Sequence, residues 1–147
     1  MQIAFRKIEL KKDWPMLAKW NEDHTRINYP AFHGNDAYLK SLKAWIRQEP
    51  DGQLVILADG KEAGTLSLLT EGPDDANRFG TLLRLHVDVS FRGKRLGTKA
   101  VEKTLAYFKE KGVTRVKLMV TKTNDCAVKL YEHNGFAVTR YQMERRI

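Results

Sequence analysis

The sequence has one cysteine, four prolines and no apolar run longer than the five residues of "LVILA", Leu54 to Ala58. A lone Cys126 excludes an internal disulfide and fits a reducing compartment. A run that short is far from the ~20 apolar residues of a membrane-spanning helix. No hydrophobic signal segment opens the chain. A soluble, cytoplasmic protein without membrane association is expected. The four histidines, at positions 24, 33, 86 and 133, lack metal-ligand spacing, so no metal is expected. Repeats, low-complexity tracts and linkers are also missing. A chain of 147 residues has the length of one domain with a sizeable core.

Acidic residues are scarce in one half only. Residues 1–77 carry 10 Lys/Arg against 12 Asp/Glu, whereas residues 78–147 carry 16 against 6. The net charge of +8 therefore sits in the second half. Such asymmetry points to a polyanionic partner there: cofactor phosphates, nucleic acid or an acidic protein. A solvated basic surface is the plain alternative.

What is present reads as alternating strands and helices. "IAFRKI" opens as a strand. Asp13 is placed to cap a helix with Pro15 in its first turn, ending near Asp23. "RINYPAFHG" is an aromatic loop, after which Asn35 or Asp36 caps a second helix with Leu39, Leu42, Trp45 and Ile46 on its apolar face. Pro50 ends it. "QLVILADGKEAGTLSLL" is a hairpin turning at Asp59-Gly60. In "RFGTLLRLHVDV", Leu83, Leu85, Val87 and Val89 alternate with Arg84, His86 and Asp88, a strand with two distinct faces. From Lys94 the period becomes 3.6, with Leu96, Ala100, Leu105 and Phe108 on one face and Gly112 as the C-terminal cap. "VTRVKLMV" is a strand, "NDCAVKLYEHN" a short helix, and "FAVTRYQMERR" a closing strand. The order β-α-α-β-β-β-α-β-α-β predicts an α/β fold, a mixed sheet with helices on both faces.

The strand-to-helix passage "VSFRGKRLGTKAVEK" concentrates glycine and cations. Backbone amides of a glycine-containing turn, with a helix N-terminus behind them, form an anion site. Arg92, Lys94 and Arg95 add full charges there. Gly93 and Gly97 permit close approach and unusual backbone angles.

With its surroundings, this passage resembles the GNAT superfamily of N-acetyltransferases. Arg92-Gly93-Lys94-Arg95-Leu96-Gly97 looks like the acyl-CoA motif [Gln/Arg]-x-x-Gly-x-[Gly/Ala]. Asn124, Ala127, Leu130, Tyr131, Gly135 and Phe136 match Asn-x-x-Ala-x-x-Leu-Tyr-x-x-x-Gly-Phe. The resemblance covers about Leu83 to Phe136 and implies one N-acetyltransferase domain over residues 1–147, using acetyl-CoA as co-substrate. It implies that the strand before the turn splays from its neighbour, with Leu85, His86 and Val87 pairing to the pantetheine arm. The amides from Gly93 to Thr98 would cradle the pyrophosphate, so Arg92, Gly93, Lys94, Arg95, Leu96, Gly97 and Thr98 are cofactor residues, with Asn124 as a further hydrogen-bonding partner. Tyr131 would protonate the leaving CoA thiolate. A homodimer is a mild implication.

Acyl transfer to an amine needs a neutral amine, a polarised carbonyl and a protonated leaving group. The Val87 N–H is the candidate for polarising the carbonyl. The sequence departs from the family pattern at Arg95, where glycine is usual. It departs again at Met119, where several relatives carry a glutamate base. His86, Asp88, His33 and Tyr29 remain as base candidates, and an ordered water or free amine from bulk is the alternative. Cys126, in the first turn of a helix, reads as a small packed residue rather than a nucleophile. By resemblance, Trp20, Tyr29, Phe32 and His33 wall the site of a small-molecule or protein amine acceptor. Near them, Glu22, Asp23 and Asp36 do not form the dense acidic cluster a polyamine needs. Two other readings stay open: a non-catalytic acyl-CoA sensor, which does not need Tyr131, and a nucleic-acid surface. The second has no recognisable nucleic-acid module beside it, so nucleic acid is not expected as a partner.

Overall fold

The structure, a computed structural model, describes residues 1–26, 29, 31–32 and 34–147. Nine main elements follow one another: β1 (Ile3–Lys7), α1 (Leu10–Arg26), α2 (Asp36–Gln48), β2 (Gln53–Ala58), β3 (Lys61–Glu71), β4 (Phe79–Val87), α3 (Leu96–Glu110), β5 (Val116–Leu118) and α4 (Asp125–His133). The sheet order is β1-β2-β3-β4-β5. All neighbours pair antiparallel except β4 and β5, which are parallel. No helix among the described residues is long and apolar enough to cross a membrane.

Strand alternation divides the core between the two sheet faces. Leu54, Ile56 and Ala58 of β2 join Leu66 and Leu68 of β3 and the buried stripe Leu96, Ala100, Val101 and Phe108 of α3. Tyr131 of α4 completes this cluster. Val55 of β2 faces the other way, among Leu17 and Trp20 of α1 and Tyr38 and Leu42 of α2. Leu105, expected on the buried stripe of α3, is instead 38% exposed. The buried positions 96, 100, 104 and 108 recur at i+4, which turns Leu105 away from the sheet.

Several boundaries differ from the sequence expectation for identifiable reasons. Helix α1 starts three residues before Asp13, so Pro15 lies in its interior. Asp13 does not precede the helix as its cap. Its buried carboxylate reaches back to accept from the Glu9 N–H at 2.8 Å and forms a two-pronged pair with Arg6 of β1. Burial, the largest single effect, pushes the Asp13 carboxyl up, but the Arg6 hydrogen bonds and charge and the Glu9 N–H together hold it below its usual value. Asn35 stands at the start of α2 without capping it, because its Oδ1 accepts from Asn21 Nδ2 instead.

The fold class stands, but the closing strand does not form. Residues 137–147 pair with no strand, and Val138, Tyr141 and Met143 are exposed. A period-2 pattern needs an edge to pair with. The available edge, β5, is only three residues long, and Met119 and Val120 beyond it are exposed.

Candidate active site

β4 is built to leave one of its edges open. It pairs with β5 only through Gly80, Thr81 and Leu82, opposite Val116, Lys117 and Leu118. The remaining five residues to Val87 have β3 on one side and no strand on the other. The register with β3 jumps from Ser67–Arg84 to Leu68–Leu82, so Leu83 is the extra residue of a bulge. The bulge resets which side chains face the core. Leu82, then Leu85 and Val87, pack on the α3 side. The expected series of Leu83, Leu85, Val87 and Val89 fails at both ends. Leu83 is the bulged residue, and Val89 lies in a short 3-10 turn, 72% exposed.

Ladder parity then fixes which amides reach the open edge. The Asp88 N–H donates to the Ala63 carbonyl at 2.8 Å, and Val87 stands opposite Gly64. Bonded and non-bonded pairs alternate along an antiparallel ladder. His86 therefore turns its backbone toward Thr65 of β3, while Leu85 and Val87 turn theirs outward. Of the three residues expected to offer backbone to an extended ligand, His86 is the one whose backbone is turned to β3. The outward Val87 carbonyl accepts from Arg92 Nε at 3.1 Å.

Beyond Val87 the chain enters the basic turn. Gly93 has φ 77°, and Arg95, directly before α3, has φ 64° and ψ 20°. Both are left-handed, a region open to glycine and costly for arginine. No side chain caps α3, so the amides of Leu96, Gly97 and Thr98 are free of intrahelical partners. Arg92, Lys94 and Arg95 are exposed around them. Gly97 serves packing rather than backbone angle: it lies within α3, where a Cβ would stand 3.0 Å from Leu130 of α4.

Arg95→Gly removes about 1–2 kcal/mol of left-handed strain and loses about 0.4–1 kcal/mol to the freer unfolded chain. The variant is expected to melt at or slightly above the parent while binding a CoA phosphate less tightly. A clear drop in melting temperature would contradict the strain.

Asn124 begins α4, and its Oδ1 accepts from the Ala127 N–H at 3.3 Å. The cap occupies the carbonyl oxygen and leaves the Nδ2 donors for a ligand. Tyr131 is buried in the same cluster that holds Leu85 and Val87, with its ring edge-on to Phe136 at 5.8 Å. Burial pushes its phenol above the usual value, which keeps the proton on the oxygen at neutral pH. Cys126 is exposed rather than packed.

The opposite face of β4 is polar but covered by α1 and α2. His86 is 4% exposed, wedged against Trp20 at 5.9 Å and the edge of His24 at 5.8 Å. Arg84 lies with its guanidinium 4.2 Å above the Tyr38 ring. Asp23, Arg26, His86, Val89 and Arg92 line a cavity of about 350 Å³ on this side. Of the expected acceptor wall, Trp20 is buried beside His86, Tyr29 is 67% exposed, and Phe32 lies under the Arg26 guanidinium at 5.3 Å. His33 falls outside the described residues. Arg84, Tyr38 and His24 were not legible as site residues. The signal was a polar strand face sandwiched under two amphipathic helices.

Burial, followed by the neighbouring cations, lowers both His24 and His86 to about 4. Their ordinary value is 6.5, so the unfolded chain takes up protons first as pH falls. The stability they contribute is complete above about pH 6.5 and is lost progressively toward pH 4. The slope is at most about 1.4 kcal/mol per pH unit for each histidine. Thermal melts at pH 7 and pH 5 are expected to show a clear fall; equal midpoints would contradict the neutral, buried pair. Asp88 is lowered chiefly by the Ser90 hydroxyl. Neither His86 nor Asp88 is therefore poised near neutrality as a base. Among the described residues no three His, Cys, Asp or Glu side chains cluster as a metal site.

The chain is similar to known proteins in sequence and in fold. The chain is 26% identical over 125 residues to an uncharacterized N-acetyltransferase of Methanocaldococcus jannaschii. The match covers 78% of this chain and 55% of that protein, so the chain spans about half the length of that relative. The fold superposes on PH1933 of Pyrococcus horikoshii with a TM-score of 0.79 at 22% identity, covering 97% of this chain and 93% of the other. A predicted acetyltransferase of Clostridium acetobutylicum, solved with acetyl-CoA, superposes with a TM-score of 0.67 at 16% identity, covering 99% and 96%. Residues 14–136 match the Acetyltransferase (GNAT) family as a whole. An open-edged β4 running into a left-handed basic turn is thus set in a chain that belongs to the GNAT acetyltransferase family.

Proposed function

We propose that the chain acts as a single N-acetyltransferase domain that moves the acetyl group of acetyl-CoA directly to a primary amine. The observation that carries the reading is the outward pair of Leu85 and Val87 amides on the strand that leads, through the basic turn, to the free amides of Leu96, Gly97 and Thr98. Together they form one track of donors, first for an extended amide-bearing arm and then for phosphate. The residues fit acetyl-CoA, which supplies the activated thioester.

Each residue has a distinct task in this reading. Leu85 and Val87 pair with the pantetheine arm, and Arg92 yields the Val87 carbonyl to it. Gly93, Lys94, Arg95, Leu96, Gly97 and Thr98 hold the pyrophosphate through amides and charge. Asn124 donates through Nδ2. The Val87 N–H polarises the acyl carbonyl. Tyr131 protonates the departing thiolate, whose thiol has a pKa of ~8.5. Burial raises the phenol further, so the transfer depends on the same dry surroundings raising the proton affinity of the thiolate. His86 holds the acceptor face rigid without serving as the base. The amine arrives neutral from bulk water, and the proton its nitrogen sheds on forming the amide passes to water, from which Tyr131 is reprotonated.

Thiol release from acetyl-CoA, followed across a panel of primary amines, tests the reading. Amine-dependent release without acetylation of the protein itself is expected. Stable acetylation at Cys126 would replace direct transfer with a covalent route. Binding of acetyl-CoA with no release for any amine would favour the sensing alternative.

A further inference from the structure

Three polar groups on the covered face of β4 have no protein partner suited to them. Arg84 and His86 project from that face, since Leu85 and Val87 project from the other. Tyr38 comes from α2 to lie under Arg84. The Tyr38 hydroxyl and His86 Nε2 are buried without a hydrogen-bond partner among the described residues. Arg84 makes no ion pair among them either; its guanidinium lies over the Tyr38 ring. Its charge reaches both His24 and His86, so these groups share one electrostatic neighbourhood. Orphaned buried donors are rare in folded proteins, and a desolvated guanidinium without an anion is expensive. With His86 on the wall of the cavity and Arg84 and Tyr38 behind it, such groups mark a place that a ligand completes.

The nearby acids do not fill it. Glu22 is paired with Arg26, and Asp88 is engaged by Ser90. Asp23 faces the cavity beside Arg26 and Arg92. Arg26, Arg92 and His86 line the cavity with Asp23 and Val89, and Arg84, two residues before His86 on the same strand face, adds a further cation beside it. A polycationic acceptor would be repelled there. A planar carboxylate matches the arginine fork and has lone pairs to spare for a tyrosine hydroxyl or an imidazole N–H. Arg84 stands three residues before Val87, roughly 10 Å along the strand. The arginine side chain shortens that span, and the cavity of about 350 Å³ suits a molecule of amino-acid to dipeptide size.

We infer that the amine acceptor carries a carboxylate, and that Arg84, supported by Tyr38 and His86, is the residue that selects it. This rests on the N-acetyltransferase reading given above, with the acceptor approaching from the α1–α2 side of β4.

The test compares kcat/KM for paired acceptors: α-amino acids, ω-amino acids and dipeptides, each against its own carboxamide. Acetyl-CoA-induced shifts in melting temperature are read on the same samples. A preference for the carboxylate form of about ten-fold or more is expected for at least one pair, from a charge-assisted hydrogen bond. Arg84→Gln should bring that ratio close to one, and Arg84→Lys should restore part of it. Both variants should keep the acetyl-CoA shift, which shows that they fold. The inference is overturned if amides or polyamines are the better substrates, if no carboxylate-bearing amine is turned over, or if Arg84→Gln leaves the ratio intact. An absent acetyl-CoA shift in the parent would instead sink the reading on which the inference rests.

Discussion

Tyr131→Phe is expected to lower turnover by about 10²–10⁴-fold, the usual contribution of a positioned general acid. Binding of acetyl-CoA should change little. The substitution removes one oxygen and keeps the ring, so the edge-on contact with Phe136 and the packing beside Leu85 and Val87 survive. The phenol is the group at stake because burial holds its proton in place until a stronger base forms beside it. A departing thiolate, ordinarily the weaker base, takes that proton in the proposed reaction because the same dry surroundings raise its proton affinity as well. The loss should appear in kcat more than in KM, because the phenol assists departure rather than binding. A variant with undiminished turnover would make Tyr131 a core tyrosine, and thiolate protonation would pass to water.

Phe108→Ala has the largest expected effect on stability. Phe108 is fully buried on α3, and its ring lies against Gly80 of β4, where a Cβ would stand 2.6 Å from it. Gly80 begins the short parallel pairing with β5 and donates to the Arg115 carbonyl at 2.8 Å. The ring therefore braces the point from which β4 and β5 part. Emptying it should cost about 3–5 kcal/mol. For a chain near this size that is about 6–20 °C in melting temperature. Gly80→Ala should destabilise from the opposite direction by overpacking the same contact. The two changes should couple: the double variant should lose less than the two single losses combined, because the added methyl enters the space the ring vacates. Strict additivity, measured by denaturant unfolding, would show that the ring and the glycine do not act as one contact.

Much of this architecture is written locally. Asp59 and Gly60 both take positive φ, as their hairpin position demands. Gly93 does the same in the basic turn, and Asn124 caps α4 with its own side chain. These residues act over a few positions, so their spacing suffices to reveal them. Long-range choices were less legible. Leu82 and Leu83 are both apolar, and only the pairing with β3 decides that Leu83 is bulged and Leu82 buried. That single residue shift separates Leu85 and Val87, on the α3 side, from Arg84 and His86, on the α1–α2 side. The closing strand has the composition of a strand, but strand formation depends on a neighbour, and β5 offers too short an edge. His86 shows the same limit at the site. Its type suggested a base, while burial under Trp20 and His24 makes it a neutral wall.

Arg95 combines both kinds of information. Its position in the acyl-CoA motif is visible in the sequence. That its backbone is left-handed, and so favours the glycine usual there, is visible only in the fold. The charge it adds beside the free amides of α3 is the compensating gain in this account.

A thermal melt with and without saturating acetyl-CoA tests the central claim most directly. Ligand at 100 times Kd adds ~2.7 kcal/mol, which for a chain of this size raises the midpoint by about 5–10 °C. CoA should reproduce the rise, and pantetheine, which lacks the pyrophosphate, should not. An unchanged midpoint, or an equal rise with pantetheine, would contradict a turn that holds the phosphates of the cofactor.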